Sequence, residues 1–154
     1  MNPIIKAENL CFSYMANEGE PSRQVIKNLS FEIEEGSFTA VLGHNGSGKS
    51  TLAKLICMIN SPDSGDLWVA GRKLTGDKVT DEDIMAARRD VGIVFQNPDN
   101  QIVATIVEED VAFGCENLGL PQQEIRKRVD AALEAVGMTR YARHPSYNLR
   151  PILL

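Results

Sequence analysis

Cysteine, histidine and aromatic residues are scarce here: three Cys, two His and 6% Phe, Trp and Tyr among 154 residues. Cys11, Cys57 and Cys115 are odd in number, far apart and form no C-x-x-C pair. They read as reduced, buried thiols rather than as a disulfide framework or a metal clip. His44 and His144 have no Cys or His neighbour at ligand spacing, which argues against zinc. Long apolar runs are missing too: the longest, such as residues 101–107, fall well short of the roughly 20 residues that span a bilayer. No basic segment followed by an apolar one opens the chain, because Lys6 follows Ile4 and Ile5 and Glu8 comes soon after. A chain without a secretory leader, and hence cytosolic, is the expectation. Basic charge is in short supply as well. Sixteen Lys and Arg against 21 Asp and Glu leave a net charge of -5, a poor match for phosphate backbones, so no nucleic-acid partner is expected.

What remains is an ordinary globular composition, 43% hydrophobic and 24% charged, at a length that suits about one domain. Residues 4–10 alternate loosely as a strand and run into Cys11-Phe12-Ser13-Tyr14. Residues 25–33 alternate at period two through Ile26, Leu29, Phe31 and Ile33 with one slip, as a half-exposed strand does. Two short apolar runs, residues 38–42 (F-T-A-V-L) and 91–95 (V-G-I-V-F), predict strands covered on both faces. Helical spacing marks residues 49–59, 80–89, 105–117 and 121–136. The third is expected to open on a Thr105-x-x-Glu108 capping box, the fourth on Pro121 with an apolar stripe of Ile125, Val129, Leu133 and Val136.

Chemistry concentrates in Gly43-His44-Asn45-Gly46-Ser47-Gly48-Lys49-Ser50-Thr51, which fits G-x-x-x-x-G-K-[ST]. Glycines let the backbone curl so that successive N–H groups face one phosphate-sized concavity. Lys49 supplies a point charge for the β- and γ-phosphates, Ser50 a hydroxyl for Mg²⁺, and the following helix the positive end of its dipole. A predicted strand before the loop and an amphipathic helix after it make this a nucleotide site. His44 occupies a free position of the pattern, where its backbone N–H matters more than its ring.

These residues resemble the ATP-binding subunits of ABC transporters over nearly all of residues 4–149. The loop has that family's form. Tyr14 stands where its aromatic stacks on adenine. Asn60-Ser61-Pro62-Asp63-Ser64-Gly65 and the strand to Gly71 look like its turn after the phosphate-loop helix. Val91-Gly92-Ile93-Val94-Phe95-Gln96 resembles its Q-loop strand. The continuation Asn97-Pro98-Asp99-Asn100-Gln101 is similar to the ATPases of energy-coupling factor importers, which drive vitamin, cobalt or nickel uptake. The resemblance implies an α/β fold, a P-loop NTPase core with an N-terminal antiparallel β subdomain and the start of a helical subdomain. It places the β subdomain at residues 1–37 and 60–80, the core at 38–59 and 81–96, and the Q-loop with part of the helical subdomain at 97–149. It also implies ATP and Mg²⁺ as ligands, with Gln96 joining Ser50 at the metal or the attacking water, a use that suits a polar residue at the end of a covered strand. Its partners are a second ATP-binding subunit, identical or homologous, and a membrane subunit received by residues 97–101 and 103–111. Its place is the cytoplasmic face of the membrane.

Glu108, Glu109 and Asp110 are a tempting carboxylate cluster, but in the first turn of a helix they complement the dipole and make no metal site. The family's signature L-S-G-G-Q, its Asp-Glu strand end and its switch histidine are not found in these 154 residues, which reach Tyr147-Asn148-Leu149 and then read Arg150-Pro151-Ile152-Leu153-Leu154. The expectation is therefore an incomplete copy, truncated or frameshifted, without the catalytic acid. Its core strands would lack ladder neighbours, leaving it unstable alone or completed by another chain. A non-hydrolysing decoy subunit and a non-transport ATPase of the same class are the competing readings.

Overall fold

Residues 3–15 and 22–149 are described by the computed structural model. The first two strands, β1 (Ile5–Tyr14) and β2 (Arg23–Ile33), pair antiparallel, with Ile5 opposite Ile33, Ala7 opposite Phe31 and Tyr14 opposite Arg23. The slip in the sequence period has a structural cause. Between Leu10–Leu29 and Phe12–Ile26 the β2 strand carries one residue more than its partner, and Asn28 there adopts φ +46. The reverse excess falls on β1 next to Asn9, at φ +50. Asparagine tolerates the left-handed region better than most residues, so it suits both bulges. The Asn9 N–H then donates to Ser30 Oγ at 2.8 Å.

β3 (Ser64–Val69) pairs antiparallel with the other edge of β1, and the two-residue β4 (Arg72–Lys73) pairs with β3, giving the order β2-β1-β3-β4. One face of this sheet supplies Ala7, Leu10, Phe12, Ile26, Leu67 and Val69 to a core. The helix α1 (Lys49–Ile56) adds Leu52 and Leu55, and α2 (Asp81–Asp90) adds Ala87. Just beyond α1, Met58 is also buried, and its carbonyl accepts a bond from the Arg88 guanidinium at 2.7 Å, tying the end of one helix to the other. These elements make one unit, Met1–Ile93.

The second unit, Val94–Leu154, is built on α3 (Val107–Asn117) and α4 (Gln122–Ala135), which bury Val107, Ala112, Val129 and Leu133 against one another. Val136 lies past the end of α4 and is exposed, so the expected stripe is one residue shorter. The expected capping box on α3 is not formed. Its N-cap is Ile106, and the first amides are satisfied from elsewhere in the unit: Val107 N–H donates to the His144 carbonyl at 3.1 Å and Glu108 N–H to that of Ala142 at 2.9 Å. Ser146 fastens the same strap, its hydroxyl donating to the Ala104 carbonyl at 2.6 Å.

Neither of the two covered strands expected at residues 38–42 and 91–95 forms. Phe38 is 99% exposed, Leu42 91% and Val94 82%. Strand propensity is realised only through pairing and cover, and among the described residues no strand pairs with either segment. Of the three cysteines only Cys57 is buried; Cys11 and Cys115 are half-exposed, which corrects the expectation of three interior thiols. Among the described residues no helix is long and apolar enough to cross a membrane.

Candidate functional site

The phosphate-loop sequence does what its glycines permit. Gly46 sits at φ +81 and Gly48 at φ +95, the left-handed region that glycine enters without steric cost. Gly48 is the N-cap of α1, and no side chain bonds to the amides of its first turn. Those N–H groups carry the positive end of the helix dipole and are available to an anion. The loop is braced from beneath by β2. A Cβ placed on Gly48 would stand 3.0 Å from Ile26 Cδ1 and 3.1 Å from Val25 Cγ1, so the backbone approaches the sheet as closely as glycine allows.

Lys49 bends back over the loop. Its Nζ donates to the Gly43 carbonyl at 2.7 Å and to the His44 carbonyl at 3.0 Å, which fixes the ammonium across the loop mouth. The His44 ring turns inward on the loop itself, Nδ1 donating to the Asn45 carbonyl at 2.9 Å, and Ser47 N–H closes the turn on the His44 carbonyl at 3.2 Å. Ser50 is exposed, whereas Thr51 is buried on the inner side of α1. Asn45 and Ser47 lie at the exposed crest.

Tyr14 ends β1 and stands beside the same helix. Its hydroxyl lies 3.2 Å from Thr51 Oγ1, and its ring packs edge-on against Phe12 with centroids 4.9 Å apart. The aromatic and the phosphate loop, far apart in sequence, are thus neighbours within one unit. Gln96 belongs to the other unit, exposed at the head of the loop that leads into the 3-10 turn Pro98–Gln101. There the Gln101 side-chain carbonyl accepts from the Phe95 N–H at 3.0 Å and shapes the loop.

Two of the three acids at the start of α3 are engaged elsewhere. Asp110 Oδ1 accepts from the Val103 and Ala104 amides at 2.8 and 3.0 Å, pinning the segment that follows the Q-loop. Glu108 takes the Arg126 guanidinium at 2.7 Å. One further side chain at the phosphate loop, Arg23, is invisible to motif spacing. It comes there only through strand register, as the cross-strand partner of Tyr14.

Comparison with known proteins points to one family. The ABC transporter family pattern matches residues 26–150. The energy-coupling factor transporter ATP-binding protein EcfA1 of Clostridium perfringens is 49% identical over 146 residues, 95% of this chain and 50% of its own length. EcfA1 of Caldanaerobacter subterraneus subsp. tengcongensis is 49% identical over 95% of this chain and 51% of its own. Among solved structures, cbiO1 from Clostridium perfringens, part of the ABC transporter complex cbiONQ, superposes with a TM-score of 0.77 at 37% identity, covering 96% of this chain and 55% of that one. The ATP-binding cassette MJ0796, a dimer bound to ADP and Pi, gives a TM-score of 0.74 at 28% identity over 93% of this chain and 62% of that one. The chain spans about half the length of the curated relatives it matches.

Proposed function

The chain belongs to the ABC transporter family, and from that premise we propose that it holds the ATP of an importer's ATP-binding subunit, one of the energy-coupling factor type that takes up a vitamin or a metal ion. The loop from Gly43 to Thr51 receives the β- and γ-phosphates, and Tyr14 lies against adenine. One observation carries this reading: the first-turn amides of α1 have no cap, and the Lys49 ammonium lies across the loop mouth on two backbone carbonyls. Phosphate oxygens are better partners for an ammonium than neutral carbonyls are. A bound polyphosphate therefore takes Lys49 from Gly43 and His44, while the loop amides and the helix dipole hold the rest of its charge.

The residues present also suit Mg²⁺. In the first unit Ser50 offers an exposed hydroxyl that has no protein partner among the described residues; Gln96, the second metal residue that the resemblance implies, is exposed in the other unit. Bound there, the ion would neutralise negative charge on the polyphosphate. The chain's own contribution is positioning and electrostatic stabilisation, the terms that dominate phosphoryl transfer. We propose with this reading the domain scheme stated from the sequence, together with its partners. A second ATP-binding subunit, identical or homologous, closes on the nucleotide. A membrane subunit docks on residues 97–101 and 103–111, where Val103 is exposed, and the protein works on the cytoplasmic face of the membrane.

These 154 residues contain no signature L-S-G-G-Q, no strand that ends in Asp-Glu and no switch histidine, the parts that the resemblance implies for turnover. A polypeptide of these residues alone therefore binds nucleotide without hydrolysing it. Titration calorimetry with MgADP and MgATP tests this. One nucleotide binds per chain, Lys49→Ala weakens binding by about tenfold or more through loss of a charge-assisted contact, and phosphate release stays at background. Unchanged affinity in Lys49→Ala contradicts the reading.

A further inference from the structure

Arg23 opens β2, directly opposite Tyr14 in the antiparallel ladder. One of its terminal guanidinium nitrogens lies 4.0 Å from the point where a Cβ on Gly46 would stand, against the middle of the phosphate loop. The side chain is exposed, and among the described residues it has no carboxylate, carbonyl or aromatic partner. Arg72 pairs with Asp90, Arg88 with the Met58 carbonyl, Arg126 with Glu108 and Asp130, and Arg128 with Glu124, whereas Arg23, against the phosphate loop, has no such partner among the described residues.

A free guanidinium beside a row of free backbone N–H groups is electrostatically incomplete, since both project positive potential into the same space. An anion resolves the conflict. The guanidinium fork matches two oxygens of a phosphate and suits a planar, two-point grip, whereas an ammonium acts as a point charge. Two cations of different geometry thus border one loop, Lys49 folded over its mouth and Arg23 reaching it from the sheet. Arg23 is also the cross-strand neighbour of the proposed adenine platform, so a nucleotide running from Tyr14 to the loop passes it.

From this juxtaposition we propose that Arg23 is a binding residue of the nucleotide site, gripping the polyphosphate of a nucleoside di- or triphosphate from the β2 side. The inference rests on the nucleotide reading of the loop and adds to it a residue that the loop motif does not contain. Titration of the full chain with MgADP across a range of salt concentrations tests it, using wild type, Arg23→Ala, Arg23→Lys and Lys49→Ala. Arg23→Ala is expected to bind about tenfold more weakly, as loss of a hydrogen bond to a charged group dictates. Its affinity should also fall less steeply with salt, because one fewer cation engages the phosphates. Arg23→Lys is expected to keep the wild-type salt response while recovering only part of the affinity. The thermal melt without nucleotide should not move in either variant, which separates a binding role from a structural one. Arg23→Ala affinity within twofold of wild type, alongside lost binding in Lys49→Ala, overturns the role of Arg23 and leaves the phosphate loop standing. Should wild type bind no MgADP, both readings fall together.

Discussion

At Gly48 two constraints meet: a left-handed backbone and a sheet that leaves no room for a side chain. Gly48→Ala should cost about 1–2 kcal/mol in backbone strain. Ile26 and Val25 must also give way, so the turn that aims the first amides of α1 is displaced. Urea melts are expected to show the destabilisation, and MgADP titration a loss of affinity; full stability and affinity in the variant would contradict this account of the loop. The loop was legible from sequence because its pattern is contiguous and its chemistry local. Tyr14 was reached only by resemblance. Arg23 was out of reach, since its place depends on the register between β1 and β2, where the opposite bulges at Asn9 and Asn28 cancel and a further shift between Phe12–Ile26 and Ser13–Gln24 sets the final pairing.

Helices and strands show a different balance between local and distant causes. The start of α2 is local: Thr80 accepts from the Asp83 N–H at 3.2 Å, and Asp83 Oδ2 accepts from the Thr80 N–H at 3.0 Å and its hydroxyl at 2.7 Å. Thr80→Ala should destabilise the chain by about 1 kcal/mol, a typical loss for an N-cap. The Thr80 backbone N–H, and then its hydroxyl, hold the Asp83 carboxyl below its ordinary range. Stabilisation from that carboxylate is therefore present above its unfolded pKa, roughly 4, and is lost as pH falls through the lower folded value. Asp83→Asn removes this part of the acid dependence, which urea melts between about pH 2 and 6 would show; an unaltered acid limb counts against the capping box. By contrast, the start of α3 looks local in sequence and is not. Thr105 and Glu108 have the capping pattern, yet carbonyls of Ala142 and His144 take the amides and Arg126 takes Glu108. A tertiary strap outcompetes a local cap whenever it reaches the same donors, and spacing alone does not reveal it.

Taken whole, the chain buries one face of an antiparallel sheet well and leaves two apolar segments in water. Phe38, Leu42 and Val94 are almost fully exposed, although their sequences have the character of interior strands. Their short apolar runs predict covered strands that do not form, because composition carries no information about whether pairing partners are present. Exposed apolar stretches favour association. In sedimentation and dye-binding measurements the isolated polypeptide is expected to self-associate and bind an apolar fluorophore, and to lack a cooperative melt above about 45 °C, the ordinary mesophile range. Phe38→Ser with Leu42→Ser should reduce both signals. A monomer that binds no dye and melts cooperatively at higher temperature would contradict this.

The phosphate loop is the centre of the account, and a crystal grown with Mg²⁺ and a non-hydrolysable ATP analogue examines it most directly. The polyphosphate is expected against the amides of Gly46, Gly48 and Lys49, with Lys49 Nζ moved from the carbonyls of Gly43 and His44 onto phosphate oxygen. Density for the analogue elsewhere, with Lys49 still on those two carbonyls, would contradict it.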